Sequence, residues 1–347
     1  MRQFSFAPPA ATTGQPVATR HLGVLDFLRG FAALSVCLFH FSRGVELTKL
    51  HSPLLQLAFA KGYVGVAVFF VISGFVLPYS LWHTGYRVQN FGAYLARRIV
   101  RLCPPAYLAS ALILLKWAVS YRWLHHGSAQ LQQVSSAQLL ANALLVVPFT
   151  QYHWINAVCW TLALEFQFYI LLGLGYNQLF TTARPGRFLA FWVGLHALQW
   201  LPFLPAQNFF QYSTLFAMGG ASLLYYQQKI AGRHYALALL IFFVLGGGQL
   251  GWWTATFGLA TALAIVVVRG QYPFFSFAGK ISYSLYLTHF LIGSSAEFLL
   301  VRYFPPHSPL AATAAIGACA MLAVAGAYLY FLVAEKPFIQ LARRIKL

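Results

Sequence analysis

Long apolar runs broken by short polar and basic segments recur along the whole chain. Ten of them are long enough to cross a bilayer as helices, at 22–41, 63–82, 102–121, 161–180, 188–204, 209–227, 235–250, 252–269, 281–301 and 309–333. One further apolar run, at 137–149, covers thirteen residues and includes Pro148. A span needs about 20 residues, so this run is predicted to be a re-entrant or interfacial helix. The pattern therefore predicts an all-α polytopic membrane protein with about ten transmembrane helices plus that shorter element.

Composition and charge sharpen this picture. The chain is 60% hydrophobic and 8% charged, which excludes an ordinary soluble enzyme of two domains. Its formal net charge of +18 would elsewhere suggest nucleic acid, but the Lys and Arg residues sit in short segments between apolar runs, where they report orientation and contact with anionic lipid. With ten spans and a cytoplasmic N-terminus, 16 of the basic residues fall on the cytoplasmic side and 5 on the outer side. Treating 137–149 as a span reverses this to 7 inside and 14 outside, against the positive-inside tendency. Both termini are thus expected in the cytoplasm, with a tail at 1–21, a membrane domain at 22–338 and a basic tail at 339–347. The tail lacks an apolar signal-peptide core, so the first run is expected to remain as the first span.

Ionisable groups inside such runs are costly unless paired or solvated, and each one marks a candidate site. The first run carries Asp26, Arg29 and His40. Eleven helical steps bring Arg29 and His40 onto one face about 16 Å apart. One reading is an Asp26/Arg29 ion pair with His40 reaching the headgroups; the other is a polar track ending in a base. In 97–101, Arg98 and Arg101 share a face on which two guanidinium groups can grip phosphates, with Arg97 beside them; orientation against lipid headgroups is the alternative. Pro104 and Pro105 are expected to end that basic stretch or to start the third span. Glu165 lies about one turn into the fourth run at a depth similar to His40, so a His/Glu pair is allowed. Glu46 and Glu297 read as solvated. Ser73 and the glycines of the second run read as packing or ligand approach, and Tyr286 and His289 share a face in the ninth. Glu335 closes the tenth. The four cysteines are scattered, with no CxxC, and no metal site is expected; a Cys37 nucleophile activated by His40 is an alternative to a core role.

In this order, the stretches LDFLRGFAALSVCLFH, GVAVFFVISGF, RRIVRLCPPAY, WTLALEFQFY, GKISYSLYLTH and AEKPF resemble the acyltransferase-3 family of integral-membrane O-acyltransferases, over residues 22–338. Thr288 stands before His289 where that family often has an aromatic residue. The resemblance implies a bacterial inner-membrane enzyme with no bound cofactor, taking an acyl group, most often acetyl from acetyl-CoA, in the cytoplasm. The acceptor would be a hydroxyl of a glycan, glycolipid or other exported molecule at the outer face. It implies His40 as catalytic histidine, acting as general base or as transient acyl carrier, with Glu165 as its companion and Arg29, Arg97, Arg98 and Arg101 on the donor side. Asp26, Ser73, Tyr286, His289 and Glu335 would be supporting residues. Two other classes compete: a secondary transporter of an anionic metabolite that uses Arg29, His40 and Glu165 for binding and proton coupling, and a non-catalytic membrane scaffold.

Overall fold

The computed structural model describes residues 23–43, 59–124, 131–182, 184–205, 207–268 and 273–346. The N-terminal tail at 1–21, Glu46 and the loop histidines His51, His125 and His126 lie outside them. Among the described residues there are thirteen α-helices and no strand. In chain order they are α1 (Gly23–Ser42), α2 (Gly65–His83), α3 (Phe91–Leu124), α4 (Ser136–Ala143), α5 (Cys159–Tyr176), α6 (Pro185–Ala197) and α7 (Phe209–Tyr226), followed by α8 (Gly232–Leu250), α9 (Trp252–Val267), α10 (Pro273–Lys280), α11 (Ser282–Tyr303), α12 (Pro309–Tyr330) and α13 (Lys336–Arg344).

Six helical stretches are long and apolar enough to cross a membrane: Gly23–Ser42, Gly62–His83, Val88–Trp123, Gly232–Leu250, Ser282–Tyr303 and Pro309–Arg344. Helices also occupy the other four expected runs. Of these, α6 has 13 residues and rises only about 20 Å, short of a hydrocarbon core of about 30 Å. The apolar run at 137–149 forms only the eight residues of α4, because Leu145 turns into the left-handed region (φ 58°) and Pro148 then starts a separate 3₁₀ turn.

Close approach of backbones sets the arrangement. Without a hydrophobic drive between helices in lipid, small residues supply packing by letting backbones meet. A Cβ at Gly65 would lie 2.4 Å from the Ala32 carbonyl oxygen, and one at Gly279 would lie 2.3 Å from that of Asp26, so α1 is held against α2 on one side and α10 on the other. The α2/α7 crossing is tighter still: Cβ atoms at Gly74 and Gly219 would lie 2.1 Å from the Phe216 oxygen and 2.0 Å from the Val71 oxygen. From Ser213 to Leu224 α7 is buried on all sides, so its uniformly apolar character reflects a central position. α11 and α12 pack together beside α1, while α6, α8 and α9 gather around α7. Between these two groups, α1, α2, α3, α5 and α11 enclose the polar residues singled out above.

Candidate functional site

The arginines come first, because the geometry of α3 differs from expectation. Rather than ending or starting at Pro104 and Pro105, α3 runs through both, from Phe91 to Leu124. A proline inside a helix removes a backbone donor and loosens the ladder. Here neighbouring helices brace the region: the Tyr283 hydroxyl donates to the Leu102 carbonyl (2.7 Å), and the Tyr330 hydroxyl donates to that of Pro105 (2.5 Å). Within this helix Arg98 and Arg101 are three residues apart and both line one cavity. Arg97, rotated about 100° from Arg98, points away from it. Its guanidinium donates to the Ile345 carbonyl beyond α13 at 2.6 Å. Arg97 therefore engages the C-terminal segment and does not line the cavity that Arg98 and Arg101 share.

The cavity that Arg98 and Arg101 share has a volume of about 140 Å³ and is lined as well by Arg29, Ser73, Glu165, Tyr286 and Glu335. Residues from six different parts of the chain thus meet in one space. Arg98 is 9% exposed; its guanidinium lies 5.7 Å from the Tyr94 ring and 5.9 Å from the Tyr169 ring, and its buried Nε has no hydrogen-bond partner among the described residues. A buried N–H of this kind is costly unless a ligand or water meets it. Arg29 and Arg101 are within electrostatic reach of Glu335.

Both carboxyl groups in the cavity are held by neighbours. Glu165 accepts from the Ser73 hydroxyl (2.5 Å) and, one turn along α5, from the Tyr169 hydroxyl (2.9 Å). Glu335 ends a π-helical turn (Phe331–Glu335) that widens the helix just before Pro337. That turn carries its carboxylate to the first turn of α11, where it accepts from the Ser284 backbone N–H (3.2 Å) and hydroxyl (2.5 Å). Helix N-termini favour an anion there, since their N–H groups lack intrahelical acceptors. With three guanidinium groups against two carboxyl groups, the cavity retains an excess of positive charge. It suits a ligand carrying more negative charge than a single carboxylate.

His40 sits elsewhere, at the far end of α1. It lines a second cavity of about 390 Å³ together with Phe39, Tyr63, Trp160, Tyr212 and Phe290. Its ring meets three others: Phe39 at 5.1 Å, His289 at 5.2 Å and Phe290 at 4.5 Å between centroids. The two cavities adjoin, because Val66, Val158 and Tyr286 line both. The Tyr286 hydroxyl is fixed by a hydrogen bond with Thr161 (3.2 Å).

Several sequence expectations change in detail. Glu165 does not reach His40: its carboxyl oxygens engage Ser73 and Tyr169, and the two residues line different cavities. Equal depth in the membrane did not specify equal azimuth. Asp26 does not line the arginine cavity; its backbone forms the close α1/α10 contact. Cys37 is 1% exposed in an apolar cluster with Ala33, Phe41 and Cys319 and lines neither cavity, which removes support for a Cys37 nucleophile. Glu297, expected to be solvated, is 7% exposed beside Cys319, with Oε1 unpartnered among the described residues, because α12 covers that end of α11. Sequence reasoning missed Tyr169, Tyr283 and Ser284. Only Tyr169 carried a local signal, four residues beyond Glu165 on the same helical face.

A family model described as an acyltransferase domain matches residues 22–330. No curated protein and no solved structure matches the chain. The match runs from the residue before α1 to the last residue of α12 and takes in His40, the Arg98/Arg101 pair, Glu165 and His289. The chain, helical among its described residues, with several membrane-length helices and matched over nearly its whole length, belongs to the acyltransferase-3 family of membrane acyltransferases.

Proposed function

We propose that the protein moves an acetyl group from acetyl-CoA on the cytoplasmic side to a hydroxyl of a glycan or glycolipid at the outer face of a bacterial inner membrane. The observation that carries this reading is the pair of adjoining cavities, with arginines in one, His40 in the other and Val66, Val158 and Tyr286 lining both. CoA is polyanionic at its nucleotide end and thin at its pantetheine end. Its phosphates suit Arg29, Arg98 and Arg101, since a multiply charged group is too costly to place in hydrocarbon. The pantetheine arm, uncharged, would pass the Val66/Val158/Tyr286 constriction and bring the thioester to His40, about 16 Å along α1 from Arg29.

Two routes for the transfer use the same ring. In the direct route His40 takes the proton of the acceptor hydroxyl, whose oxygen attacks the thioester carbonyl. The C–O bond forms, the C–S bond breaks, and His40 returns the proton to the leaving thiolate. In the stepwise route a neutral His40 nitrogen attacks the thioester carbonyl, the N–C bond forms as the C–S bond breaks, and CoA thiolate leaves. The acceptor oxygen then attacks the acetyl carbon, the N–C bond breaks, and the hydroxyl proton passes to the released imidazole or thiolate. In either case the aromatic walls around His40 offer flat apolar faces to the C–H faces of a sugar ring, with hydroxyl tips from Tyr63 and Tyr212 at hand.

The constriction provides the test. Val66→Phe places a ring in the shared wall and should reduce transfer of labelled acetyl from acetyl-CoA by roughly tenfold or more while donor binding stays within about twofold, because the arginines are untouched. Undiminished transfer in a variant that fills this gap would mean that the thioester does not pass between the two cavities.

A further inference from the structure

His289 is a polar residue close to His40 that has no role in the transfer described above. It is fully buried on α11 and lines neither cavity. Its Nδ1 lies 2.9 Å from the Tyr286 carbonyl oxygen. A carbonyl can only accept, so Nδ1 carries the proton, and the neutral ring presents a lone pair at Nε2. That Nε2 is buried with no partner among the described residues. The ring faces that of His40 at 5.2 Å and 27°, and Phe290 closes the group at 4.5 Å from both.

The surrounding packing holds this pair in register. One turn beyond His289, Gly293 leaves space that the Phe41 ring fills; a Cβ there would lie 2.0 Å from Phe41 Cζ. Phe41 follows His40 directly and also meets the His289 ring edge at 6.4 Å. The α1/α11 contact therefore fixes both histidines from behind. In serine hydrolases a buried carboxylate orients the catalytic histidine by a hydrogen bond. Here Glu165, the carboxylate expected near His40, is committed to Ser73 and Tyr169.

We propose that His289 is the positioning residue for His40, holding its ring at the cavity wall by offset stacking in place of an orienting carboxylate. Its neutral ring face also attracts the positive charge that His40 acquires on taking a proton, as aromatic faces attract cations. The proposal rests on the reading of His40 as the transfer residue.

The test uses the full chain in native membrane vesicles with labelled acetyl-CoA, comparing His289→Ala, His289→Leu, His289→Phe and His40→Ala. The Ala and Leu variants should lose roughly ten- to a hundredfold in kcat, with KM for acetyl-CoA within about twofold, since a misplacement of about 1 Å in a reacting group costs on that order. His289→Phe keeps a flat ring in the stack and should stay within about threefold of wild type. Leu fills the space without a ring, so it separates stacking from packing even where the Ala variant fails to accumulate. Wild-type kcat in His289→Leu overturns the proposal. So does a Phe variant as impaired as Leu with donor binding intact, since that outcome assigns the role to Nε2. Full transfer in His40→Ala removes the underlying reading and this proposal with it, whereas loss in His40→Ala with full activity in His289→Leu removes this proposal alone.

Discussion

Replacing His40 with alanine should stop acyl transfer while the protein still accumulates and still binds acetyl-CoA. Its ring lines the outer cavity, and none of the residues expected to meet the donor's phosphates lies near it. General base catalysis contributes about 10²–10⁴ in rate, so a direct route predicts a kcat lower by that factor at unchanged donor affinity. A stepwise route predicts complete loss, because the acetyl carrier itself is gone. The two separate in the wild-type protein. When acetyl-CoA is supplied and acceptor is depleted, the stepwise route releases a burst of about one equivalent of free CoA thiol as the acetyl group moves to His40, and the direct route releases none. Wild-type transfer in His40→Ala would falsify the assignment of this residue.

The second large effect is expected at the other cavity. Arg98→Ala and Arg101→Ala should each weaken acetyl-CoA binding by about 10- to 150-fold, which corresponds to the roughly 1.5–3 kcal/mol of a hydrogen bond to a charged group. Lysine at either position should recover part of the affinity, since it restores charge without the fork that grips two phosphate oxygens. Arg97→Ala provides the internal control. Its guanidinium is engaged with the Ile345 carbonyl, so donor affinity should stay within about twofold while the C-terminal segment loosens. Isothermal titration of the detergent-solubilised protein with acetyl-CoA reads all three. Equal losses at all three arginines would indicate a diffuse electrostatic effect instead of a specific cavity.

How much of this was legible in the sequence depends on which interactions are local. The apolar runs gave helices because a stretch of about 20 residues without charge has few alternatives in a bilayer. Arg29 with His40, and Arg98 with Arg101, were readable because helical phase alone relates them. Glu165 shows where phase stops helping. Depth along α5 matched His40, but its partners Ser73 and Tyr169 depend on how α5 turns against α2, which the Gly74/Gly219 crossing of α2 with α7 helps to set. Pro104 and Pro105 misled for a similar reason. The helix continues through them inside a packed setting in which Tyr283 and Tyr330, from elements far along the chain, bond the Leu102 and Pro105 carbonyls. Glu297 was read from its distance to a helix end, whereas its burial is decided by α12 lying across it. The arginine cavity was thus legible as a set of residues, but the Ser284 cradle of Glu335 and the stacked pair of histidines were products of tertiary packing.

The central claim is that donor and acceptor meet the same protein from opposite sides of one membrane. Sealed vesicles of known orientation test this most directly, since acetyl-CoA does not cross lipid. Labelled acetyl-CoA added outside inverted vesicles should label glycan or glycolipid in the lumen, and the same donor outside right-side-out vesicles should give only background. Equal labelling in both orientations, or label confined to acceptor on the side of donor addition, would contradict a path from the Arg98/Arg101 cavity to His40.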